Sequence, residues 1–249
     1  LTLTEFFKDN PKAALGFSGG VDSAYLLYAG VRAGADIRPY FIKTAFQPAF
    51  ELTDAQRLTE QLGVKLRVIE HDIFQNAAVI ANPADRCYHC KTVLFSLLGA
   101  QAQTDGYALL LDGTNASDDV GDRPGMRALK ELKVLSPLRE CMLTKAKIRE
   151  LSKQAGLFTW NKPAYACLAT RVSMGEPLTA ELLQKVEQAE NKLFQMGFSD
   201  FRARVFHGAA RIQLPENQIV RAAEQKNDVL NALKPWFETV LLDLKGRNQ

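Results

Sequence analysis

The string Ser18-Gly19-Gly20-Val21-Asp22-Ser23 puts two glycines, two hydroxyls and a carboxylate in one short stretch. That set is suited to holding a phosphate chain. It stands between a small apolar run, Ala13 to Phe17, and a helix-forming stretch from about Asp22 through Ala33. Glycines let the backbone approach an anion and take φ values that a side chain forbids. A helix beginning there aims unsatisfied amides and the positive end of its dipole at the same spot. Ser18 and Ser23 add hydroxyl donors, whereas Asp22 would repel phosphate unless it binds Mg²⁺ or a donor. A second cluster is Cys87-Tyr88-His89-Cys90-Lys91. On a helix, residues three apart share a face, so both thiolates can reach one metal. A thioredoxin-type redox pair and two inert buried cysteines are the alternatives. His89 lies elsewhere on that helix and reads as solvated. Cys167, in the run Asn161 to Arg171, is a candidate nucleophile or third metal ligand. Three thiolates suit an iron–sulfur cluster with one open iron. They equally suit a zinc site completed by His89 or water. Cys141 has no partner in sequence and reads as a small core residue.

Other polar residues are candidates for anion contacts. Asp112-Gly113-Thr114-Asn115 falls where a strand should end beside the phosphate turn, and a plain strand-ending turn is the alternative. Asp118, Asp119, Asp122 and Arg123 follow in a loop, Arg123 being the one suited to an anionic substrate. Arg171 is placed to neutralise a phosphate. Arg202 and Arg204 share one face of a predicted strand, with Arg211 on the next. Such a stripe either holds a phosphate bidentately or faces solvent. Glu190, on the preceding helix, is a partner for it.

The glycine string lacks the Gly-x-x-x-x-Gly-Lys-Ser/Thr of a kinase-type P-loop and the Gly-x-Gly-x-x-Gly of a dinucleotide fold. It resembles the PP-loop of the ATP pyrophosphatase superfamily, enzymes that split ATP between the α and β phosphates and adenylate a substrate oxygen.

The surrounding pattern predicts the scaffold. Strand-like runs at Ile37–Ile42, Val64–Ile69, Ala108–Thr114 and Val134-Leu135 alternate with helical stretches at Leu52–Leu62, Cys87–Ala102 and Leu143–Ala155. Thr144 is the expected N-cap of the last helix and Gly156 its C-cap. This alternation implies an α/β fold, a parallel sheet with helices on both faces, whose ligands bind beyond the carboxyl ends of the strands. Residues 157–177 have no clear periodicity. Beyond them come a helix at Thr179–Met196, antiparallel strands at Phe201–Phe206 and Ala210–Leu214, another helix, and a last strand near Phe237–Leu244. We therefore expect two domains, 1–172 carrying the nucleotide site and 173–249 forming a small α+β module for substrate binding or oligomerisation.

The 249 residues suffice for a substantial core, and the net charge of +3 gives no argument for nucleic acid. No apolar run is long enough to span a bilayer, and the first residues lack the features of a secretion signal. These features point to a cytoplasmic protein. Because Leu1 and not Met opens the chain, residues ahead of it are expected.

The later segments narrow the resemblance. Leu111-Asp112-Gly113, Arg123-Pro124-Gly125, the Asn161–Arg171 run, Arg202-Ala203-Arg204 and Ala210 to Glu216, in this order after the PP-loop, are similar to the LarE family. That family comprises ATP-dependent sulfur transferases that make the nickel-pincer nucleotide cofactor, with an adenine nucleotide α-hydrolase-like fold. The resemblance implies ATP on Ser18, Gly19, Gly20, Val21, Asp22 and Ser23, with Gly113 on the adenosine side and Mg²⁺ at Asp22. It implies that a carboxylate of pyridinium-3,5-biscarboxylic acid mononucleotide attacks the α-phosphate, and that sulfur then displaces AMP. Arg123, Arg171, Arg202 and Arg204 match positions expected to hold the substrate phosphate. In one version of the family a cysteine matching Cys167 gives up its own sulfur. In the other, cysteines matching Cys87, Cys90 and Cys167 hold a [4Fe–4S] cluster. With all three present, the cluster version is expected, in a homo-oligomer. Acidic positions that bind metal in the sacrificial version appear here as Gln213 and Arg221, with Glu190 kept. A PP-loop tRNA thiolase and an ammonia-dependent PP-loop synthetase are the competing readings. Neither accounts for the later segments.

Overall fold

The computed structural model describes residues 1–118 and 124–247. Along it run α1 (Leu3–Asp9), β1 (Lys12–Gly16), α2 (Val21–Arg32), β2 (Asp36–Lys43), α3 (Ala49–Gln61) and β3 (Arg67–Glu70). Next come α4 (Ala77–Ile80), α5 (Arg86–Thr104), β4 (Leu110–Leu111), α6 (Pro124–Glu131), α7 (Pro137–Glu140) and α8 (Lys145–Gln154). The order ends with α9 (Ala180–Gln195), β5 (Arg202–Phe206), β6 (Ala209–Gln213), α10 (Glu216–Glu224), α11 (Lys226–Leu233) and β7 (Val240–Leu242). Two compact units emerge. The first holds Leu1–Thr44, Ala49–Asp72 and Asp85–Lys162; the second holds Ala45–Pro48, Ile73–Ala84 and the described residues from Pro163 onward.

The first unit is the expected α/β layer, with a parallel sheet in the order β3-β2-β1-β4. β1 is interior, which explains its run of small apolar residues: both faces are covered. Successive side chains leave opposite faces of a strand. Ala13 and Leu15 pack with Phe6, Phe7, Leu26, Leu27 and Ile148 from α1, α2 and α8. Ala14, between them, joins Leu98 and Ala102 of α5 on the other face. Thr144 caps α8 through its hydroxyl, which accepts from the Lys147 amide at 3.3 Å. The C-cap is Ala155, and Gly156 follows it at φ +69°.

Several elements differ from the pattern-based expectation. The fourth strand shrinks to Leu110–Leu111: the Asp112 amide still donates to Leu135 O at 2.9 Å, and beyond it the Thr114 amide and hydroxyl turn to the Asp112 carboxylate. The expected fifth strand is a single bridge, Leu135 against Leu111. Pro137, which has no amide to donate, then opens α7. The third strand starts only at Arg67.

In the second unit β5 and β6 form the expected antiparallel hairpin, and β7 adds to β6 in parallel. The hairpin turns at His207-Gly208 with both φ positive, +49° and +79°, the geometry that suits the twist of a two-residue connection. Leu183, Val186, Ala189 and Leu193 of α9 form its buried stripe. Where one helix was expected before the last strand there are two, α10 and α11, broken at Gln225.

Candidate active site

The PP-loop begins where β1 ends. Gly19 takes φ +67°, and a Cβ on it would lie 3.1 Å from the Ala55 backbone nitrogen. Gly20 is the N-cap of α2 and makes no side-chain cap, so the first amides of the helix are left for a ligand. The Ser18 hydroxyl accepts from the Gly20 amide at 3.3 Å and lies 3.1 Å from the Ser23 hydroxyl. The Ser18 amide in turn reaches the Ser23 hydroxyl at 3.4 Å. Val21 is buried and anchors the turn in the core. Gly113, just past β4, passes so close to this first turn that a Cβ would lie 3.0 Å from the Ser23 nitrogen. The structure thus brings Ser18, Gly19, Gly20, Val21, Asp22, Ser23 and Gly113 together.

Two lysines flank the turn. Lys145 Nζ donates to Asp22 Oδ2 at 2.5 Å, while the buried Asp22 Oδ1 has no hydrogen bond among the described residues. Burial raises the Asp22 carboxyl above the usual aspartate range, with Lys145 pulling the other way. The open Oδ1 suits a cation ligand. Lys162 Nζ lies 2.6 Å from Asp54 Oδ2 and donates to the Gly19 carbonyl at 3.3 Å. Neither lysine, nor Asp54, stands out in the sequence, since isolated charges on helix starts and loops carry no local pattern. Asp112, Thr114 and Asn115 are buried and serve the loop itself. Asp112 accepts from the Thr114 amide at 3.2 Å and from the Ser136 hydroxyl at 2.6 Å. Asn115 Oδ1 accepts from the Ser117 amide at 2.8 Å.

Cys87 and Cys90 lie in the first turn of α5, three residues apart on one face, Cys87 exposed and Cys90 half-buried. Cys87 also lines a cavity of about 380 Å³ with Lys91, Thr114, Asp118, Pro124, Gly125 and Met126. His89 pairs with Asp85 at 3.4 Å. Cys141 is half-buried against the core, and burial raises its thiol. No cysteine is in a disulfide. Arg123 lies outside the described residues. Among the described residues no group of three or more His, Cys, Asp or Glu side chains is gathered to hold a metal ion.

In the second unit Cys167 is the N-cap of a short 3₁₀ turn, Leu168–Arg171. Arg171 and Glu190 are buried together, Nε donating to Oε1 at 2.6 Å. Arg171 Nη2 donates to the other Glu190 oxygen, Oε2, at 3.3 Å, and Nη1 donates to Ala166 O at 3.1 Å and Thr170 Oγ1 at 2.7 Å. Glu190 also accepts from the Tyr165 hydroxyl and, at 2.9 Å, from the Ala203 amide. Arg202 is buried, donating to Phe201 O and Ala164 O. Burial, then the charges of Arg171 and Arg247, lower its guanidinium to about 10. Arg204 sits across from Arg211 in the hairpin and donates to Gln213 Oε1 at 2.6 Å. Its guanidinium is likewise lowered by burial and by Arg171. Glu190, Asp200 and Asp243 offset part of this positive charge, pairing with Arg171, with Arg202 and Arg247, and with Arg211. Gln213 links Arg204 to Asp243, and Arg221 binds the Met196 and Gly197 carbonyls that end α9.

No protein-family model matches the chain. Individual proteins do. The chain is 36% identical to an uncharacterized protein of Synechocystis over 98% of its own length and 92% of that protein. It is 31% identical to the pyridinium-3,5-bisthiocarboxylic acid mononucleotide synthase of Lactiplantibacillus plantarum, over 98% of this chain and 90% of that one. The chain belongs to the LarE family. A tRNA-specific 2-thiouridylase, MnmA of Thermotoga petrophila, is 23% identical over 61% of this chain and 54% of its own. That partial match supports the wider PP-loop superfamily, whereas the LarE similarity runs from end to end. Among the described residues no helix is long and apolar enough to cross a membrane.

Proposed function

We propose that this LarE-family protein is an ATP-dependent sulfurtransferase acting on the carboxylates of pyridinium-3,5-biscarboxylic acid mononucleotide. The observation that carries the nucleotide half is the cradle of Ser18–Ser23 against Gly113, with uncapped helix amides and a glycine where no Cβ fits. Ser18, Gly19, Gly20, Val21 and Ser23 bind the pyrophosphate portion of ATP, and Gly113 admits its adenosine side. Asp22, through the oxygen that Lys145 leaves open, would hold Mg²⁺, which would neutralise phosphate charge. A substrate carboxylate then attacks the α-phosphorus, and pyrophosphate leaves. In-line positioning and neutralisation of charge are the chief demands of this step.

The substrate phosphate is held by arginines. Arg202 and Arg204 are the candidates in the second unit, and Arg123 is a further candidate by residue type. Arg171, bound to Glu190, Ala166 and Thr170, must exchange a partner to reach it. Cys87, Cys90 and Cys167 fit a [4Fe–4S] cluster by donor type: two thiols on one helix face and a third at a turn. Such a cluster, with one iron not ligated by protein, would supply the sulfide that displaces AMP. Cys167 attacking the adenylate itself is the other reading. A cytoplasmic homo-oligomer completes the proposal.

The test is a reaction of anaerobic protein with MgATP and the dicarboxylate mononucleotide. AMP and pyrophosphate should appear only with the substrate present, together with thiocarboxylate product. ATP turnover that ignores the dicarboxylate would sink the proposal.

A further inference from the structure

We propose that Lys162 is a second cation of the nucleotide site, binding the pyrophosphate half of ATP, and that Asp54 competes with the phosphates for it. This rests on the reading of Ser18–Ser23 as an ATP site. Lys162 directs its side chain back over the PP-loop, and only 15% of that side chain is exposed. A lysine serving solubility keeps its ammonium in water. Here the ammonium donates to the carbonyl of Gly19, the residue whose φ of +67° shapes the turn. Its backbone is pinned, the carbonyl accepting from Arg149 Nη2 at 2.9 Å and the amide donating to Thr159 O at 3.0 Å. The ammonium also lies 5.3 Å from the Phe50 ring centroid. Among the described residues Asp54 and Gly19 engage two of its three N–H groups, which leaves one donor for a phosphate oxygen.

The chemistry needs a cation at this place. When the carboxylate oxygen bonds to the α-phosphorus, the bond from that phosphorus to the bridging oxygen breaks. The electron pair stays with the pyrophosphate, which gains negative charge as it leaves. An ammonium fixed at the PP-loop meets that charge without rearrangement. Asp54 holds the ammonium in place but opposes the phosphates with its own charge. Replacing its carboxylate by an amide keeps the shape and removes the opposition.

The experiment is calorimetric titration of MgATP, pyrophosphate and AMP into the full chain and into Lys162→Met and Asp54→Asn. Methionine keeps the apolar stem beside Phe50. Lys162→Met should weaken ATP and pyrophosphate about tenfold or more, since charge-assisted bonds are the strong ones, and should leave AMP within about twofold. Asp54→Asn should tighten ATP about threefold or more by removing a charge that opposes the phosphates. Equal losses for AMP and ATP in Lys162→Met, or no loss, would overturn the assignment. If Lys162→Met does not fold, Asp54→Asn decides alone: tighter ATP supports the proposal, weaker or unchanged ATP overturns it. A wild-type chain that binds no ATP removes the ATP-site reading itself, and Lys162's role with it.

Discussion

Arg171 and Glu190 form an ion pair whose side chains are 0% and 2% exposed, and that pair ties the 3₁₀ turn after Cys167 to α9 and, through the Ala203 amide, to β5. Burying two charges is tolerable only because each has further bonds: Tyr165 to Glu190, and Ala166 and Thr170 to Arg171. Removing one partner strands the other. Glu190→Ala is expected to destabilise the fold by about 3–5 kcal/mol, read as a shift of the urea midpoint. A loss below about 1 kcal/mol would place the pair in the range of exposed bridges.

Arg204 is the contrasting case. It is partly buried, but its partners are a side-chain amide and the Thr170 carbonyl rather than a carboxylate. Arg204→Ala should raise the Kd for the mononucleotide substrate about tenfold to a hundredfold, with a much smaller stability cost than Glu190→Ala. Substrate affinity and urea midpoint, measured on both variants, separate the two roles.

Gly113→Ala would force a methyl to within 3.0 Å of the Ser23 nitrogen and 3.3 Å of its Cα. Both are backbone atoms of α2's first turn, so relief requires moving the PP-loop. The expected result is about 1–3 kcal/mol of lost stability and at least tenfold weaker MgATP binding. Unchanged ATP affinity by calorimetry would show that Gly113 and the loop are not part of one site.

Asp22 gives a pH signature. Its carboxyl is raised in the folded protein, chiefly by burial. Below the unfolded value of 3.8 both states hold the proton and the group costs nothing. As pH rises through the window between that value and the raised folded one, the unfolded state releases its proton first. Stability therefore falls with pH across the window. Asp22→Asn should accordingly raise Tm at pH near 7, with the gap closing as pH falls toward about 4, while abolishing Mg²⁺-dependent ATP binding. A variant less stable than wild type at neutral pH would mean that the Lys145 pair outweighs burial.

The PP-loop was legible because its chemistry demands particular residues: only glycine fits at Gly19 and Gly113, and hydroxyls at Ser18 and Ser23 tie the turn together. β1 was legible through its unbroken small apolar run, and α9 through its 3.6-residue stripe. Lys145, Lys162 and Asp54 were not, because one charged residue on a helix or loop resembles any other until the fold places it. The length of β4 was hidden for a different reason. Asp112 bonds locally to Thr114 and Ser136, and that competition with the ladder is invisible in an apolar run. Arg202 shows the limit of alternation: its strand position leaves phosphate binding and a solvated face both open, whereas the fold buries it with its guanidinium over the Tyr165 ring, 5.3 Å from the centroid.

The cysteines make a separate prediction. Protein purified without oxygen should carry about four irons per chain with matching labile sulfide, and Cys87→Ala should lose them. Iron-free protein whose Cys167 becomes dehydroalanine after one turnover would assign the sulfur to Cys167.

Labelling the substrate carboxylates with heavy oxygen tests carboxylate adenylation most directly. When sulfur displaces AMP from an acyl-adenylate, the carboxylate oxygen that attacked phosphorus departs with AMP. The account predicts one labelled oxygen in the AMP for each carboxylate converted, seen by mass spectrometry, and none in the pyrophosphate. AMP without label, formed alongside thiocarboxylate product, would contradict it.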